Sequence, residues 1–572
     1  MTAAIVAVTA VVGATLGIGA WGVRLARTTS DLFVASRAIS PWWNAAAISG
    51  EYLSAASFLG VAGLEMKYGA AAMWLPVGFA GGYLALLLFV AAPLRRFGSY
   101  TVADFVEARL DSERARLVAA VIVLLIGGLY LVPQLKGAGI TLREVTGAPY
   151  FVGVAVVAAI VAVNVALGGM RGITYVQAFQ YWVKMVAIAL PACLLLIHLG
   201  GLPARAALLG HELPRAPEHG LRVTLDEPQR VTFPRATTYA IDGHRARARA
   251  GEERTLPAGK LALPPGAVVP VADGIDAQRG EEWSRPAGGS GRGSPLFIYS
   301  LLLATFLGTM GLPHILVRFY TNPTGPAARR TTVRVLGLLG LFYLFPAVYG
   351  ALGRVLTPGL YVTGDTDLVV LRLPQAAWPG VPGDLLAALV AAGAFAAFLS
   401  TASGLLVALA GTTAHDLWGR LPRDVHGSFA VRRRRFRRAA IGAMVVPAVL
   451  ALASRGLDIS VLVGWAFALA ASTFCPMLLL GIWWPRLTAR GAIAGMTAGA
   501  IVATAGFIAA LITGTAQDEA SIVAAPAVAS VPIAFAVMIG VSLARPAPAG
   551  SADAVMVALH APEGLGLEGV RR

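Results

Sequence analysis

Charged residues are scarce in this chain: Asp, Glu, Lys and Arg make up 13% of its 572 residues, against about a quarter in soluble domains. Hydrophobic residues reach 57%, and the mean hydropathy is +0.71. A water-soluble core cannot hide so much apolar surface. The composition therefore excludes a soluble protein and predicts an all-α protein that crosses a lipid bilayer many times.

Cysteine and nucleotide-binding motifs are also nearly absent. The two cysteines, Cys193 and Cys475, lie far apart in apolar segments, which excludes a disulfide framework and a cysteine metal site. No P-loop is present, so ATP-driven transport is unsupported, and no catalytic constellation indicates an enzyme. Nothing resembles a channel selectivity filter. The net charge of +16 sits mostly in short loops, so it is not a nucleic-acid signal.

No basic residue precedes the first apolar run, about 3–23, whereas Arg24 and Arg27 follow it. A secretory signal peptide has the opposite order of charge and a shorter apolar run. We therefore predict a retained helix with its N-terminus outside.

Long apolar runs are what the chain has in abundance. About twenty such residues span a bilayer, and on that measure we predict roughly thirteen spans. These are about 3–23, 40–64, 72–92, 117–140, 151–168, 174–200, 296–318, 331–355, 383–412, 438–454, 458–484, 490–514 and 522–544.

The charges of the short loops alternate along these spans. Basic loops recur after every second span, the richest being Arg432 to Arg438, while the opposite loops hold acidic residues such as Asp365 and Asp367. The positive-inside rule then places the C-terminus inside and the N-terminus outside, in the cell membrane. A transmembrane domain would thus occupy 1–545, followed by a cytoplasmic tail at 546–572.

One loop, about 201–295, is long, rich in Pro and Gly, and balanced in charge. Its stretch LRVTLDEPQRVTF has some strand-like alternation. We expect an extracellular insert, with a β-hairpin in this stretch, that ends in the flexible Gly288 to Gly291.

The stretch ISGEYLSAASFLGVAG, residues 48–63, carries polar groups within a span. Small residues let helices pack closely, which accounts for Ser54 and its neighbours. Close packing does not account for Glu51, because an ionisable group in a membrane is costly and usually faces a cavity or a partner. We interpret Glu51, Ser54 and Ser57 as candidates for substrate binding or coupling.

The seventh span is interrupted in the same way, by Gly308, Gly311 and Pro313. His314 and Arg318 add polar groups near its end. Paired broken helices in corresponding positions point to a transporter's central site. Each broken helix is the first of a run of five predicted spans. Because five is an odd number, the second run crosses the membrane in the opposite orientation to the first. Gly308, Gly311 and His314 are therefore further candidates for substrate binding or coupling.

Hydroxyl groups cluster in the ninth span, at Ser400, Thr401 and Ser403. Such hydroxyls often bond back to their own helix. Next to a broken helix, the alternative is a sodium site, because sodium is a hard cation that prefers oxygen ligands.

At these residues the chain resembles the sodium:solute symporters, and most closely their cation/acetate branch. The resemblance covers about 30–200 and 296–490. Its most specific stretches are DLFVASRAISPWWNAAAISGEYLSAASFLG, FGSYTVADFVEARL, GGMRGITYVQAFQYWVKM and GLPHILVRFYTNP.

The resemblance implies an inverted five-helix repeat, leucine-transporter-like, with extra peripheral helices. The repeats would occupy about 40–200 and 296–484. It also implies a sodium site with no other metal. The site would be formed by the carbonyls of Gly50, Leu53 and Ala397 and the hydroxyls of Ser400 and Thr401.

The function implied is symport of acetate or a related short-chain monocarboxylate with sodium. Propionate, pyruvate, proline or a sugar remain alternative substrates, and protons an alternative coupling ion. A transporter-like sensor is the rival from another class, and no signalling module follows the last span. The sequence does not indicate the oligomeric state.

Overall fold

The computed structural model describes residues 2–23, 35, 39–200, 213–275, 278–287, 295–418, 429–515, 525–546, 548 and 552–561. Before the insert, its helices are α1 (Thr2–Val23), α2 (Pro41–Tyr52), α3 (Val61–Tyr68), α4 (Trp74–Ala85), α5 (Ala91–Phe97), α6 (Val102–Leu110), α7 (Glu113–Thr146) and α8 (Tyr150–His198).

The described residues of the insert form seven strands and one short helix. They are β1 (Leu221–Leu225), β2 (Gln229–Phe233), β3 (Thr237–Ile241), β4 (His244–Ala248), β5 (Glu252–Leu256), β6 (Gly259–Leu263), β7 (Val271–Ala272) and α9 (Gly280–Trp283).

Helices resume after the insert and continue almost to the end of the chain. They are α10 (Pro295–Leu302), α11 (Gly308–Gly311), α12 (Pro313–Phe319), α13 (Gly325–Leu356), α14 (Gly359–Thr363), α15 (Val369–Ala377), α16 (Val381–Gly411), α17 (Phe429–Ala453), α18 (Ile459–Ser472), α19 (Phe474–Trp483), α20 (Ala489–Ile512), α21 (Ala527–Ala544) and α22 (Asp553–His560).

Ten helices among the described residues are long and apolar enough to cross a membrane, or eleven with the bent pair Pro295–Gly311 and Pro313–Phe319. Two features account for the difference from the thirteen predicted spans. The helical stretch Ala56–Phe97 contains parts of two of them, and Tyr150–Ala166 is apolar but short.

Two sets of five spans each begin with a broken helix, and the two broken helices run in opposite directions. The first ends at Tyr68, whose hydroxyl donates to the Gly274 carbonyl of the insert. The second starts at Pro295, just after the insert, and ends near Asn44, whose side chain donates to the Arg318 carbonyl. This antiparallel crossing is the inverted arrangement that the sequence predicted.

We call the end of the bundle that touches the insert the insert face, and the opposite end, which carries Arg95, Arg109 and Arg116, the basic face. Helix α8 reaches the insert face at both of its ends. The Tyr150 hydroxyl donates to the Ala451 carbonyl at one end, and His198 stacks on Trp378 at the other. A straight helix of 49 residues would be about 73 Å long, so the chain reverses direction within it.

The insert is a small β-domain rather than a loop with one hairpin. A four-stranded sheet has the order β1-β6-β3-β4, and a three-stranded sheet has the order β5-β2-β7. Strands β3 and β4 join through Asp242 and Gly243, both at positive φ, as a tight hairpin turn requires. Val231, Phe233 and Leu256 form the fully buried centre of the three-stranded sheet.

The interior of the bundle is most enclosed along α16 and α18. Both helices consist largely of Ala, Val, Leu and Phe, so all of their faces are apolar. A helix that is apolar on every face can be buried inside a protein, as these two are. Helix α16 contacts α8, α7 and α1, and α18 contacts the broken segment around α11. The broken helices are thus held between the two most buried spans.

Candidate functional site

The first broken helix opens after Tyr52, one residue beyond Glu51. Leu53 leaves helical geometry with φ −72° and ψ 85°, and helix resumes only at Ala56. The freed N–H of Ala55 donates to Gln134 Oε1 of α7 at 2.9 Å. Non-helical backbone inside a membrane needs such protein partners, so α7 stabilises the break.

The second broken helix bends by 44° between Gly311 and Pro313. A side chain at Gly308 would place its Cβ 2.5 Å from the Phe467 carbonyl oxygen, and one at Gly311 would overlap the Ala470 carbonyl oxygen. These glycines let the break lie directly against α18. The structure thus places both glycines at a helix contact, and their role in substrate binding or coupling stays a prediction.

Glu51 and Arg318 join the two broken helices through a buried ion pair. Arg318 Nε lies 2.5 Å from Glu51 Oε2, and both side chains are fully buried. Arg318 also donates to Thr174 Oγ1 at 2.8 Å and to the Gln177 side-chain oxygen on α8. Glu51 Oε1 has no hydrogen-bond partner among the described residues and lies directly against Gly404.

Lys184 of α8 reaches the same break from the other side. Its Nζ donates to the Gly50 carbonyl, to the Leu53 carbonyl at 2.8 Å and to Ser400 Oγ at 2.7 Å. The side chain is fully buried. Three atoms predicted to bind sodium therefore converge on one point, and the Lys184 side-chain nitrogen lies there.

The other predicted sodium ligands lie close by. Thr401 Oγ1 donates to the Glu51 carbonyl at 2.6 Å, and Ser400 Oγ donates to the Gly50 carbonyl. Ala397 is fully buried on α16. The sequence reasoning thus identified neighbouring residues, and the sodium assignment stays a prediction.

Sodium does not fit between these oxygens while Lys184 lies there. The ammonium already uses the Gly50 and Leu53 carbonyls and the Ser400 hydroxyl, and a second cation would have to share them at very short range. Like charges at such distances repel strongly in a low-dielectric interior. The residues present are therefore matched to an ammonium group rather than to a metal ion.

Polar groups beyond the break belong to a central cluster of buried side chains around Tyr52, which we call the cage. Ser57 Oγ is hydrogen-bonded to the Tyr343 hydroxyl at 2.9 Å, and Ser54 to the Tyr130 hydroxyl. His314 is buried beside the Tyr130 ring, and neither of its ring nitrogens has a hydrogen-bond partner among the described residues. Among the described residues, Glu51 and His314 are the predicted substrate or coupling candidates with buried side-chain atoms that lack a hydrogen-bond partner.

Aromatic rings complete this cage around Tyr52. The Tyr52 ring lies edge-on to Phe79, Tyr83 and Phe467, with centroids 4.7 to 6.2 Å apart. Its hydroxyl is hydrogen-bonded to Thr309 Oγ1 at 2.7 Å, whereas the buried Tyr83 hydroxyl has no partner among the described residues. The cage thus combines apolar faces with a few polar atoms, as small-molecule sites do.

A cleft leads from the basic face toward the break in the second helix. It is lined by Thr101, Thr412, Val407, Val317 and Pro313. Pro313 adjoins His314, so the cleft approaches the cage from this side.

The insert face is closed over the same helices. Lys67 Nζ and Asp458 Oδ2 form an ion pair of 2.8 Å, and Trp283 of the insert donates to the Met66 carbonyl at 3.1 Å. Asp367 Oδ2 accepts from the Ile459 N–H. Burial and the neighbouring Asp458 carboxylate raise the pKa of Asp367 to about 6. A layer of buried charged groups thus separates the cage from this face.

Sequence reasoning missed Lys184 and did not pair Arg318 with Glu51. Lys184 stands in the apolar run of the sixth predicted span, where an ionisable residue is itself a signal of function. The pairing of Arg318 had no comparable signal, since it depends on how two distant helices cross.

Comparisons with known proteins agree with this architecture. The sequence model of the sodium:solute symporter family matches residues 32–209 and 271–499, leaving most of the β-domain unmatched. The chain is 29% identical over 494 residues to the uncharacterized symporter YwcA of Bacillus subtilis (strain 168), covering 86% of this chain and 83% of that protein.

Two solved structures share the fold. One is the substrate-bound outward-open state of a Na+-coupled sialic acid symporter, with a TM-score of 0.67, 15% identity, and coverage of 95% of this chain and 98% of that one. The other is the nucleobase-cation-symport-1 family transporter Mhp1 in a closed conformation, with a TM-score of 0.51, 12% identity, and coverage of 93% and 99%. The predicted leucine-transporter-like fold is confirmed, and the relatives are transporters rather than enzymes. With its family model matched over more than half of its length, the chain belongs to the sodium:solute symporter family.

Proposed function

We propose that the chain is a secondary active symporter that imports a short-chain monocarboxylate, acetate first, coupled to inward movement of sodium. Protons are the alternative coupling ion, and propionate and pyruvate the alternative substrates. Membership of the sodium:solute symporter family supports sodium coupling. Because sodium does not fit at the Lys184 position, no transport step is assigned to an ion there.

The observation that carries the choice of an anionic substrate is the balance of charge at the centre. Glu51 and Arg318 neutralise each other, and the Lys184 ammonium is held only by neutral oxygens. In their ionised forms these three groups leave one positive charge in a buried site. A monocarboxylate balances that charge, whereas a sugar or a zwitterionic proline does not.

The side chains of the cage suit a small carboxylate in their chemistry. Its aromatic rings offer an apolar surface for a methyl group, and the Tyr83 hydroxyl and the His314 ring offer hydrogen-bond donors for carboxylate oxygens. The cleft on the basic face is lined in part by Pro313, the residue before His314. Under the proposed topology this cleft faces the cytoplasm.

Purified protein in sealed vesicles should accumulate labelled acetate when an inward sodium gradient is imposed. One acetate entering with one sodium moves no net charge, so a tenfold sodium gradient supports about tenfold accumulation. Parallel vesicles with a pH gradient but equal sodium test the alternative ion. Excess propionate and pyruvate should compete, and proline and glucose should not. Equal uptake in all vesicles, or no accumulation of any carboxylate, would contradict the proposal.

The proposed orientation puts the insert outside the cell and the basic face inside. In a Cys193→Ser background, Ala258→Cys in the β-domain and Asp111→Cys between α6 and α7 both create exposed thiols. An impermeant thiol reagent added to intact cells should label only Ala258→Cys. Labelling of only Asp111→Cys from outside would reverse the topology, and both should react once the cells are opened.

A further inference from the structure

We infer that Lys184 supplies, as part of the chain itself, the cation at the position where the sequence predicts sodium, so that no sodium ion binds there. The inference refines the proposed function. Only its consequence for transport rests on that function. The binding geometry that supports it is independent of the substrate.

The number of acceptors around Lys184 matches an ammonium group. A protonated amine has three N–H donors and no acceptor, and Lys184 Nζ has three oxygen partners: the Gly50 carbonyl, the Leu53 carbonyl and Ser400 Oγ. Two of these are carbonyls that the break in the helix leaves free. The broken helix therefore stabilises this ammonium with the same atoms that would otherwise bind a metal ion.

The position of Lys184 is fixed by the packing of α8 against both neighbours. Gln177, two turns earlier on the same face, donates to the Ser400 carbonyl at 2.8 Å and accepts from Arg318. A side chain at Gly50 would overlap the Gln177 carbonyl oxygen, so α2 and α8 touch backbone to backbone. The close contact between α2 and α8 thus holds the Lys184 ammonium at the break and leaves the two helices little room to shift.

A tethered cation differs from sodium in one respect that matters for transport. It stabilises the broken helix and α16 without crossing the membrane, so it contributes no ion to the stoichiometry. A symporter built in this way takes its coupling ion, sodium or proton, through another part of the molecule. The fixed charge of Lys184 then serves the anionic substrate.

Equilibrium binding of ²²Na⁺ to the purified protein, without substrate, tests the inference. Four forms are compared: the wild type, Ser400→Ala, Lys184→Ala and the double variant. We expect Ser400→Ala to bind sodium as the wild type does, within twofold in affinity, because Ser400 contacts Lys184. Lys184→Ala should gain one saturable sodium per chain, since its carbonyls and hydroxyl are released. The double variant should lose that gain or bind sodium at least tenfold more weakly.

A loss of one sodium, or a tenfold weaker affinity, in Ser400→Ala alone would overturn the inference, because sodium would then bind with the ammonium displaced. A folded Lys184→Ala that gains no sodium would also contradict it. If Lys184→Ala does not fold, Lys184→Met takes its place, because methionine fills the same space without a charge. The comparison of sodium affinity between the wild type and Ser400→Ala tests the inference in either case. Failure of acetate uptake in vesicles would count against the proposed function alone, since sodium binding is measured without transport.

Discussion

Replacing Arg318 by methionine should destabilise the protein by about 3–5 kcal/mol and abolish uptake, because it leaves the Glu51 carboxylate buried without its charged partner. Arg318 lies at the crossing of both broken helices, with Glu51, Thr174 and Gln177 as its partners. Unfolding of the purified protein in detergent measures the loss. The exposed pair of Arg285 with Glu281 is a matched control, and its removal should cost less than about 1 kcal/mol.

The double variant Glu51→Gln with Arg318→Met separates the charge from the packing. It removes both charges, so a large part of the lost stability should return, as seen when buried pairs are replaced by neutral groups. Uptake should stay low if the charge of Glu51 acts in transport. Equal destabilisation of the single and double variants would show that the two residues do not act as a pair. Normal uptake by Glu51→Gln alone would make Glu51 a structural residue.

A second large loss is expected from Gly404→Ala, the smallest change possible on the face of α16 that meets Glu51. The added Cβ would overlap the Glu51 carboxylate, which is fully buried and tied to Arg318. Overpacking of this kind costs about 1–3 kcal/mol, and here it also displaces the ion pair. We expect uptake to fall at least about tenfold, since a shift of 1.4 kcal/mol already corresponds to that factor.

Gly128→Ala is the matched control for this substitution. Gly128 also lies inside a long spanning helix, α7, and nothing lies within 4 Å of the position of its Cβ. Alanine is the better helix former by about 1 kcal/mol, so this variant should be as stable as the wild type or more so. Equal uptake by Gly404→Ala and Gly128→Ala would show that the carboxylate has room to move.

The fold could be predicted well because a membrane leaves few options for the backbone. Apolar runs, the alternation of basic loops and the two interrupted helices together predicted the inverted arrangement that the structure shows. Glu51 stood out for the same reason, since an ionisable group in a span needs a cause. These are local signals, readable from one segment at a time.

The partners of these residues could not be predicted in the same way. Lys184 lies 134 residues from Gly50, and Arg318 lies 267 residues from Glu51, so both contacts depend on helix crossings. The β-domain was missed for a related reason. Its Asp242–Gly243 turn is a local hairpin signal, but β1 pairs with β6 and β2 with β5, across intervening strands.

The anchoring of the β-domain has a mechanical consequence. The Met66 carbonyl, near the end of α3, accepts from Trp283 of the insert and from the Tyr361 hydroxyl, and Tyr68 donates to Gly274. The part of the first broken helix that reaches the insert face is thus hydrogen-bonded to the β-domain. Any tilt of α3 that opens the insert face must therefore either move the β-domain together with the helix or break these hydrogen bonds. The energy needed to bend the helix at the Leu53 break therefore includes the cost of moving or releasing a domain that lies outside the bundle.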